Sequence, residues 1–510
     1  MKDKLRLLIR GNIPATMKEI NKINAGVVQE AAEMMKKEKM DVSQNFSSDV
    51  YINAPQSLYD EISLIFKSFV IHGTMTNEIL ACAFMPLFKG GLKDPSKFSS
   101  YRAVAGASQL LKLFEYVVLI LWGDLLSTDS VQFGFKKKSG TSMASFLVVE
   151  TANYFIKRGH TVFGACMDLR AAFDNVLWDK MFEQILDKGV PAVVVLVFVH
   201  AYQEQKGWVR LAGHNSDTFG LSNGSRQGSI LSPFFFSCYV NKLVKILRRK
   251  KLGCYILGVW VGASLYADDI FLLAPNRFVL QKMITVAEQF ATEHNLEFST
   301  DPVPAKSKTK CIQFRGTQRV RQPAPVILNG KQVPFCETVT HLGHELHENG
   351  RMDSDADRAR ASFNRRASDL RDQLFYCWPG TRVRAADLNI CDAYGLMLHE
   401  LSSESTEKVF KSWNTNIRQS WSLPYNCKTS LVERYFACEH LSLRRQVFSR
   451  YPGFIKKMLS APSYEIRFLT SIGINDQRSI VCRNINYLNQ VSKLDVMNEP
   501  KYKLKEAMQF

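Results

Sequence analysis

The chain has 510 residues, a hydrophobic content of 46% and a formal net charge of +18, with a pI near 9.3. This length and apolar content suffice for roughly two to four cores, which excludes a chain that is disordered over most of its length. The positive charge favours binding to polyanions such as nucleic acids, because cationic side chains release the counterions that surround phosphates.

The sequence shows no signal for secretion or for a membrane. The first residues, Met1 to Arg6, are charged and begin no secretory signal, and the longest apolar run, Val190 to Val199, is too short to span a bilayer. All 11 cysteines occur without a Cys-x-x-Cys pair, which is typical of reduced, buried thiols. We therefore expect a nuclear or cytoplasmic protein, not a secreted one, with no transmembrane segment.

Shifts in composition divide the chain into three segments. Residues 1–54 mix helical patches with a polar stretch and are expected to form an N-terminal extension. Strand and helix patterns alternate over residues 55–346. Residues 347–510 are mostly helical and rich in arginine, so we expect a separate helical region there.

A short buried strand is predicted from Val162 to Met167, and it ends at Asp168. The stretch from Phe173 through Asp174 to Leu186 has helical periodicity, and Asp174 fits a helix cap better than a ligand. This pattern puts Asp168 at the C-terminal end of a strand.

A loop rich in Gly and Ser runs from Gly220 to Pro233, before an apolar helical run from Phe234 to Leu247. Gly228 would let the backbone approach a ligand closely, and Arg226 and Gln227 could then reach a phosphate or a base. Such a loop is also a common structural connector, so these residues alone leave both interpretations open.

The tetrapeptide Tyr266-Ala267-Asp268-Asp269 lies between two apolar runs, which predicts a hairpin with two acids at its turn. Unpaired carboxylates are costly in such surroundings, and a divalent cation would neutralise them. An ordinary polar turn is the alternative. If the strand ending at Asp168 pairs beside this hairpin, three carboxylates converge as oxygen ligands for Mg²⁺ or Mn²⁺. Two such ions can clamp the attacking and leaving oxygens of a phosphoryl transfer.

The order of these segments resembles motifs A, B and C of a reverse transcriptase. Further segments, from about Leu58 to beyond Pro424, are similar to the fingers, motifs D and E, and the thumb of LINE-type (non-LTR) retrotransposon enzymes. They are Pro86 to Gly91, Asp94-Pro95 with Tyr101-Arg102, Lys308 to Lys310 followed by Phe314, His341 to His344, Tyr394-Gly395, Trp413-Asn414, and Trp421 to Pro424. The resemblance implies an α+β fold of the right-hand polymerase type, with fingers, palm and a mostly helical C-terminal thumb and connection region. It also implies an RNA-directed DNA polymerase that uses an RNA template, a DNA primer and dNTPs.

The resemblance also implies roles for the matching residues. Two Mg²⁺ ions, with Mn²⁺ as the alternative, would be held by Asp168, Asp268 and Asp269, together with the carbonyl of Leu169. Lys308 could donate a proton to departing pyrophosphate, although Lys306 or Lys310 could take that role. The nucleotide site would comprise Lys89 and Arg102 at the triphosphate, Phe173 against the sugar, and Gln227 and Gly228 in the pocket.

Without the resemblance, Phe173 is interpreted as a core aromatic residue and Lys308 as part of a solvated basic loop. Four basic clusters are expected to line a groove for nucleic acid. They are Lys136 to Lys138, Arg248 to Lys251, Lys306 to Lys310, and Arg358 to Arg371.

Some features depart from the family pattern. The family often has Tyr-Arg-Pro-Ile where this chain has Tyr101-Arg102-Ala103-Val104. Neither an endonuclease nor a zinc knuckle is recognisable, so we expect one piece of an element protein or a truncated copy.

A catalytically silent relic that only binds RNA is one alternative function, and a cellular or intron-encoded polymerase is another.

Overall fold

The structure contains two five-stranded β-sheets, and each sheet belongs to a different unit of the fold. The structure is a computed structural model. It describes residues 17–42, 47–90, 94–226, 228–301, 307–316, 323–390, 395–424, 426–428, 442–500, 503, 504 and 507.

The first unit comprises Met1–Asp129, Leu169–Lys245 and Glu288–Glu297. Its sheet has the strand order β2-β1-β4-β5, with β6 added on β4, and β1 pairs antiparallel with β2 but parallel with β4. Its strands are β1 (Cys82–Phe88), β2 (Tyr101–Ala107), β4 (Lys206–Leu211), β5 (His214–Asn215) and β6 (Phe219–Gly220). Its helices are α1 (Met17–Lys22), α2 (Ala25–Glu33), α3 (Asp49–Ile52), α4 (Gln56–His72), α5 (Asn77–Leu80), α6 (Gln109–Trp122), α8 (Trp178–Asp187), α9 (Ala192–Gln203) and the greater part of α10 (Ser232–Arg249).

Helix α6 shows why these elements form where they do. Ser108 caps its first turn, because the Ser108 hydroxyl oxygen accepts a hydrogen bond from the backbone N–H of Leu110 at 3.2 Å. Leu111, Phe114 and Val118 recur at helical spacing and are all buried. The rings of Phe114 and of Phe66 from α4 pack edge to face with their centroids 5.1 Å apart, which places α6 in the core of this unit.

The second unit comprises Ser130–Asp168, Ile246–Ala287 and Phe298–Phe510. Its main sheet has the order β14-β11-β3-β10-β9. Its strands are β3 (Val162–Asp168), β7 (Tyr255–Ile256), β8 (Val259–Trp260), β9 (Ala263–Tyr266), β10 (Asp269–Ala274), β11 (Lys310–Phe314), β12 (Val326–Leu328), β13 (Lys331–Val333), β14 (Phe335–Cys336), β15 (Thr338–His341) and β16 (His344–His347). Its helices are α7 (Thr141–Ile156), α11 (Arg277–Glu293, which ends in the first unit), α12 (Asp353–Gln373), α13 (Pro379–Ile390), α14 (Glu404–Ser420), α15 (Leu443–Leu459), α16 (Tyr464–Asn475) and α17 (Ile480–Ser492).

The central strands of this sheet match the sequence prediction. Strand β3 ends at Asp168, and β9 and β10 form the hairpin around Ala267 and Asp268. Strand β10 also pairs antiparallel with β3, which places the hairpin beside the strand that ends at Asp168. The apolar residues of β10 are fully buried, as expected of an interior strand.

The helix predicted from Phe173 begins later, at Trp178, and its N-cap residue is Leu177. The predicted cap role of Asp174 is therefore wrong. The backbone N–H groups of Asp174 and Asn175 both donate to the carbonyl of Ala171, so this stretch forms a turn before the helix. Periodicity alone could not separate a turn from the first helical residues.

The region after His347 contains helices and no strand within its described residues, in agreement with the predicted α+β class and helical C-terminal region. The proposed division at residues 54 and 346 stays a prediction. Among the described residues, no helix combines the length and the apolar character that crossing a bilayer requires.

Candidate active site

Two of the predicted acids lie directly opposite each other in the second unit. Asp168, the last residue of β3, is the cross-strand partner of Asp269, the first residue of β10. Asp268 immediately precedes Asp269. Together with Ala267 it forms the two-residue turn that joins β9 to β10. Pairing of strands far apart in sequence thus brings three carboxylates to one edge of the sheet.

The turn that carries Asp268 is held from outside the hairpin. Ala267 has a φ of +56°, a left-handed conformation that is unfavourable for alanine. The buried Gln132 accepts hydrogen bonds through its side-chain oxygen from the backbone N–H groups of Ala267, at 3.1 Å, and Gly134, at 3.0 Å. A Cβ at Gly134 would lie 2.6 Å from the Ala267 nitrogen, so only glycine fits there. The sequence analysis missed both residues, whose one visible signal is a glycine between two aromatic residues.

The acids influence one another electrostatically. Burial, followed by the neighbouring Asp268 and Asp168 carboxylates, raises the pKa of Asp269 to about 6, against an opposing effect of the Lys308 ammonium. Burial, followed by Asp269 and Asp168, also raises the pKa of the Cys166 thiol to about 12. The edge of the sheet therefore carries more negative charge than its surroundings compensate.

Among the described lysines of its cluster, Lys308 forms an ion pair with an acid. Its Nζ lies 3.2 Å from a carboxylate oxygen of Asp168, and its side chain is 70% exposed. Lys310 lies within β11 opposite Cys166, and Lys306 lies outside the described residues. The Lys308 side chain is solvated, as expected for a basic loop, but it also forms an ion pair with Asp168 at the site.

The donor chemistry of these residues fits a hard divalent cation, since three carboxylates at one sheet edge supply oxygen ligands. Within the described ranges, no three His, Cys, Asp or Glu side chains are gathered closely enough to ligate one ion. The fit therefore rests on the shared sheet edge and on the raised Asp269 pKa, which a bound cation would lower. Leu169 directly follows Asp168 and is buried, and the role of its carbonyl stays a prediction.

The residues predicted to bind the triphosphate belong to the first unit. Arg102 lies on β2 directly opposite Leu87 of β1, and Lys89 immediately follows β1. The Lys89 backbone N–H donates to the carbonyl of Ser100, and its Nζ donates to the carbonyl of Ser99 at 2.8 Å. Both cationic side chains are exposed at the same end of this β-hairpin.

Gly228 and Phe173 are also in the first unit. Gly228 has a φ of +121°, and a Cβ there would lie 2.3 Å from the carbonyl oxygen of Ala105, on the same strand as Arg102. The loop can approach β2 this closely only because residue 228 is glycine. Phe173 is half-buried, and its ring stacks on the buried Phe236 with centroids 4.1 Å apart. The contact with Phe236 therefore fixes the position of the Phe173 ring, and part of the Phe173 surface stays accessible to solvent.

Arg226 does not reach outward as the sequence suggested. It is buried, and its Nε donates to the side-chain oxygen of Gln205 at 2.7 Å. Nearby, the buried Glu115 accepts hydrogen bonds from Ser229, at 2.5 Å, and from the backbone N–H of Ile230, at 2.7 Å. Arg226 therefore helps to shape the loop, which favours the structural-connector interpretation of this residue over contact with a phosphate or a base. Gln227 lies outside the described residues.

Residues 92–344 match the family model described as reverse transcriptase (RNA-dependent DNA polymerase). The chain therefore contains a reverse transcriptase domain over these residues. The match contains Asp168, Asp268, Asp269 and Lys308, the residues at the edge of the sheet.

Curated relatives of this chain are proteins of mobile elements, which confirms the resemblance to non-LTR enzymes. The chain is 24% identical to the RNA-directed DNA polymerase from mobile element jockey of Drosophila melanogaster, over 57% of this chain and 31% of the relative. It is 25% identical to a Pol polyprotein from the type-1 retrotransposable element R2 of Nasonia vitripennis, over 56% of this chain and 27% of the relative. It is 23% identical to a protein of the type-1 retrotransposable element R1DM of Drosophila melanogaster, over 58% of this chain and 27% of the relative. The chain thus spans less than a third of the length of these relatives.

Proposed function

We propose that the chain is an RNA-directed DNA polymerase of the non-LTR retrotransposon type. The reaction is the attack of a primer 3′-hydroxyl on the α-phosphate of a dNTP, templated by RNA, with release of pyrophosphate. The supporting observation is the placement of Asp168 opposite Asp269, with Asp268 in the adjoining turn, inside a reverse transcriptase domain.

The three carboxylates are proposed to hold two Mg²⁺ ions. When bound, the ions would supply charge stabilisation and activation of the primer hydroxyl. Asp269 begins β10, and Asp268 lies in the adjoining turn, where the backbone N–H of Ala267 donates to Gln132. Lys308, 3.2 Å from Asp168, is the ammonium group best placed to donate a proton to the departing pyrophosphate.

The first unit is proposed to supply nucleotide binding. Lys89 and Arg102 carry exposed cationic groups suited to a triphosphate. Phe173, anchored on Phe236, would lie against the sugar and exclude a 2′-hydroxyl. Gly228 would line the pocket, with Gln227 beside it in sequence.

Primer extension on poly(rA) primed with oligo(dT), with Mg²⁺ and dTTP, tests this proposal. Asp168→Asn and Asp268→Asn are each expected to lower the rate by at least ~10²-fold, by analogy with other lost electrostatic stabilisers. Asp217→Asn is the matched control, because Asp217 is exposed in the first unit and its replacement removes the same charge. RNA affinity should stay near the parental value in all three variants.

The same assay separates a polymerase from a silent relic that only binds RNA. No incorporation by the parental chain, combined with tight RNA binding, would favour the relic. Near-parental incorporation by the Asn variants would overturn the assignment of the acids.

A further inference from the structure

A polar cleft of about 760 Å³ lies in the second unit, on residues to which the proposed polymerase assigns no role. Its volume falls within the roughly 300–1,000 Å³ of typical ligand sites. It is lined by the end of α7 and by the first turns of three helices, α12, α14 and α17. The lining includes Asn153, Lys157, Met352, Ser403 and Ile480.

Four residues that line this cleft each have a buried side-chain nitrogen atom with no hydrogen-bond partner among the described residues. The atoms are Nδ2 of Asn153, Nζ of Lys157, Nε of Arg483 and Nδ1 of His399. The side chains of Asn153 and His399 are themselves almost fully enclosed, with 4% and 1% of their surface exposed. Buried polar groups are normally satisfied, so a cluster of unsatisfied nitrogens on one cleft points to a ligand that accepts hydrogen bonds.

The acids that line the cleft do not neutralise Lys157. Glu400 pairs with Arg483 at 3.1 Å, Glu404 pairs with Lys408 at 2.9 Å, and Asp357 pairs with Arg360 at 3.0 Å. Asp353, in the first turn of α12, also lines the cleft, and no described carboxylate forms an ion pair with Lys157.

The environment of Lys157 disfavours its own charge. Burial lowers the pKa of Lys157, and the neighbouring Arg483 guanidinium lowers it further, against weaker opposing effects of Glu400, Glu150 and Asp476. A second cation next to a buried ammonium is unfavourable unless an anion lies between them.

The start of α17 adds to this positive character because its first turn carries no acid, whereas the first turns of α12 and α14 carry Asp353, Asp355, Glu404 and Glu407. Helices α12, α14 and α17 contain 21, 17 and 13 residues, and each begins at the cleft. Side-chain oxygens of Ser403 and Ser479 cap α14 and α17, whereas Met352 at the start of α12 provides no side-chain cap. Backbone N–H groups at such a helix start are suited to an anion.

We propose that this cleft binds a phosphate group, with Lys157 as its central cation and with Asn153 and Arg483 as hydrogen-bond donors. The phosphate belongs either to a nucleic-acid strand or to a free phosphate-bearing ligand, since both present the same charged oxygens. The proposal does not depend on polymerase activity, so either can fail without the other.

Thermal unfolding of the full chain in increasing sodium phosphate, at an ionic strength held constant with chloride, tests the cleft. The parental chain should unfold at a higher temperature as phosphate is added. Lys157→Met should be at least as stable as the parent without phosphate, because an unpaired buried ammonium is removed, and should show no rise with phosphate. Lys157→Arg, which keeps the charge, should retain the rise.

Lys457→Met is the matched control, because Lys457 is exposed on α15 of the same unit, away from the cleft. It should respond to phosphate like the parent. The proposal would be overturned if phosphate raised the unfolding temperature of Lys157→Met as much as that of the parent. It would also be overturned if the parental chain neither gained stability from phosphate nor bound a single-stranded oligonucleotide. If Lys157→Met does not fold, ³¹P line broadening of phosphate with the parent and with Lys157→Gln provides the same comparison.

Binding of a single-stranded oligonucleotide distinguishes the two sources. If a strand supplies the phosphate, Lys157→Met should reduce the slope of log affinity against log salt by ~0.7 for the one lost contact. If a free ligand supplies it, the slope should be unchanged, while the response to inorganic phosphate is lost.

Discussion

Asp269 faces Asp168 across the antiparallel ladder between β10 and β3, so two carboxylates are held side by side by backbone pairing rather than by their own attraction. The two carboxylates repel each other when both are ionised, and burial adds to the free-energy cost of ionising Asp269. The site is therefore unfavourable for folding until a cation neutralises it.

The raised pKa of Asp269 gives a signed prediction for stability. Between its ordinary value of 3.8 and about 6, the folded chain holds a proton that the unfolded chain has lost. Without metal, Asp269 therefore makes stability fall as pH rises through this window, and the full penalty applies above about pH 6. Asp269→Asn should raise the unfolding temperature at pH 7.5 by ~1–3 °C and change it little at pH 4.

Added Mg²⁺ should stabilise the parental chain more than Asp269→Asn, measured by the same thermal unfolding at pH 7.5. Asp217→Asn serves again as the control for removal of one carboxylate. A variant that gains no stability at pH 7.5 would show that Asp269 is not strained by its neighbours.

Gln132 is predicted to position the hairpin turn. Gln132→Met keeps the approximate length of the side chain but leaves the N–H groups of Ala267 and Gly134 without their acceptor. The free energy of unfolding should fall by ~1–3 kcal/mol, which is typical of a buried donor left unsatisfied.

Polymerisation by Gln132→Met should lose kcat with little change in the KM for dNTP, because the acids move while the first unit stays intact. The control is Gln203→Met at an exposed position at the end of α9. Parental kcat in Gln132→Met would show that the turn holds its conformation without this contact.

Phe173 is predicted to exclude ribonucleotides. Phe173→Val should leave the turn intact while opening the space that a 2′-hydroxyl needs, so the preference for dNTP over rNTP should fall by ~10-fold or more. The readout is the ratio of kcat/KM for dTTP and UTP on the same primed template. Phe278→Val, at a residue that is 72% exposed in the second unit, is the control. Unchanged selectivity would return Phe173 to a packing role against Phe236.

The arginine residues of α12 are predicted to differ in function. Arg358 pairs with the buried Asp355 at 2.7 Å, and Arg371 donates to Asn416 at 3.2 Å, so both stabilise the fold of the second unit. Arg365 and Arg366 are exposed and suited to phosphates. Arg365→Gln and Arg366→Gln should each flatten the salt dependence of primer–template binding by ~0.7–0.9 in log–log slope.

Lys456→Gln, on the exposed side of α15, controls for the loss of charge in this experiment. Filter binding from 50 to 300 mM salt gives the slopes. Equal slopes for the parent and both arginine variants would exclude α12 from nucleic-acid contact.

Local pattern in the sequence was sufficient to place β3, the β9–β10 hairpin, the helix after the Gly/Ser loop and the acids at their ends. Apolar runs with β-branched residues, and glycines at turns, determine such elements through their immediate neighbours. The start of α8 was misplaced, because the turn closed by the Ala171 carbonyl has the same local pattern as a first helical turn.

Tertiary structure alone decided which groups meet. The pairing of β10 with β3 depends on burying both strands in one sheet, and it brings Asp168 to Asp269 across about a hundred residues of sequence. The same long-range packing turns Arg226 inward to Gln205, selects Lys308 as the lysine beside Asp168, and places Gln132 under Ala267. Side-chain partners of this kind depend on which elements distant in sequence pack together, whereas the periodicity of one strand determines only which of its faces is buried.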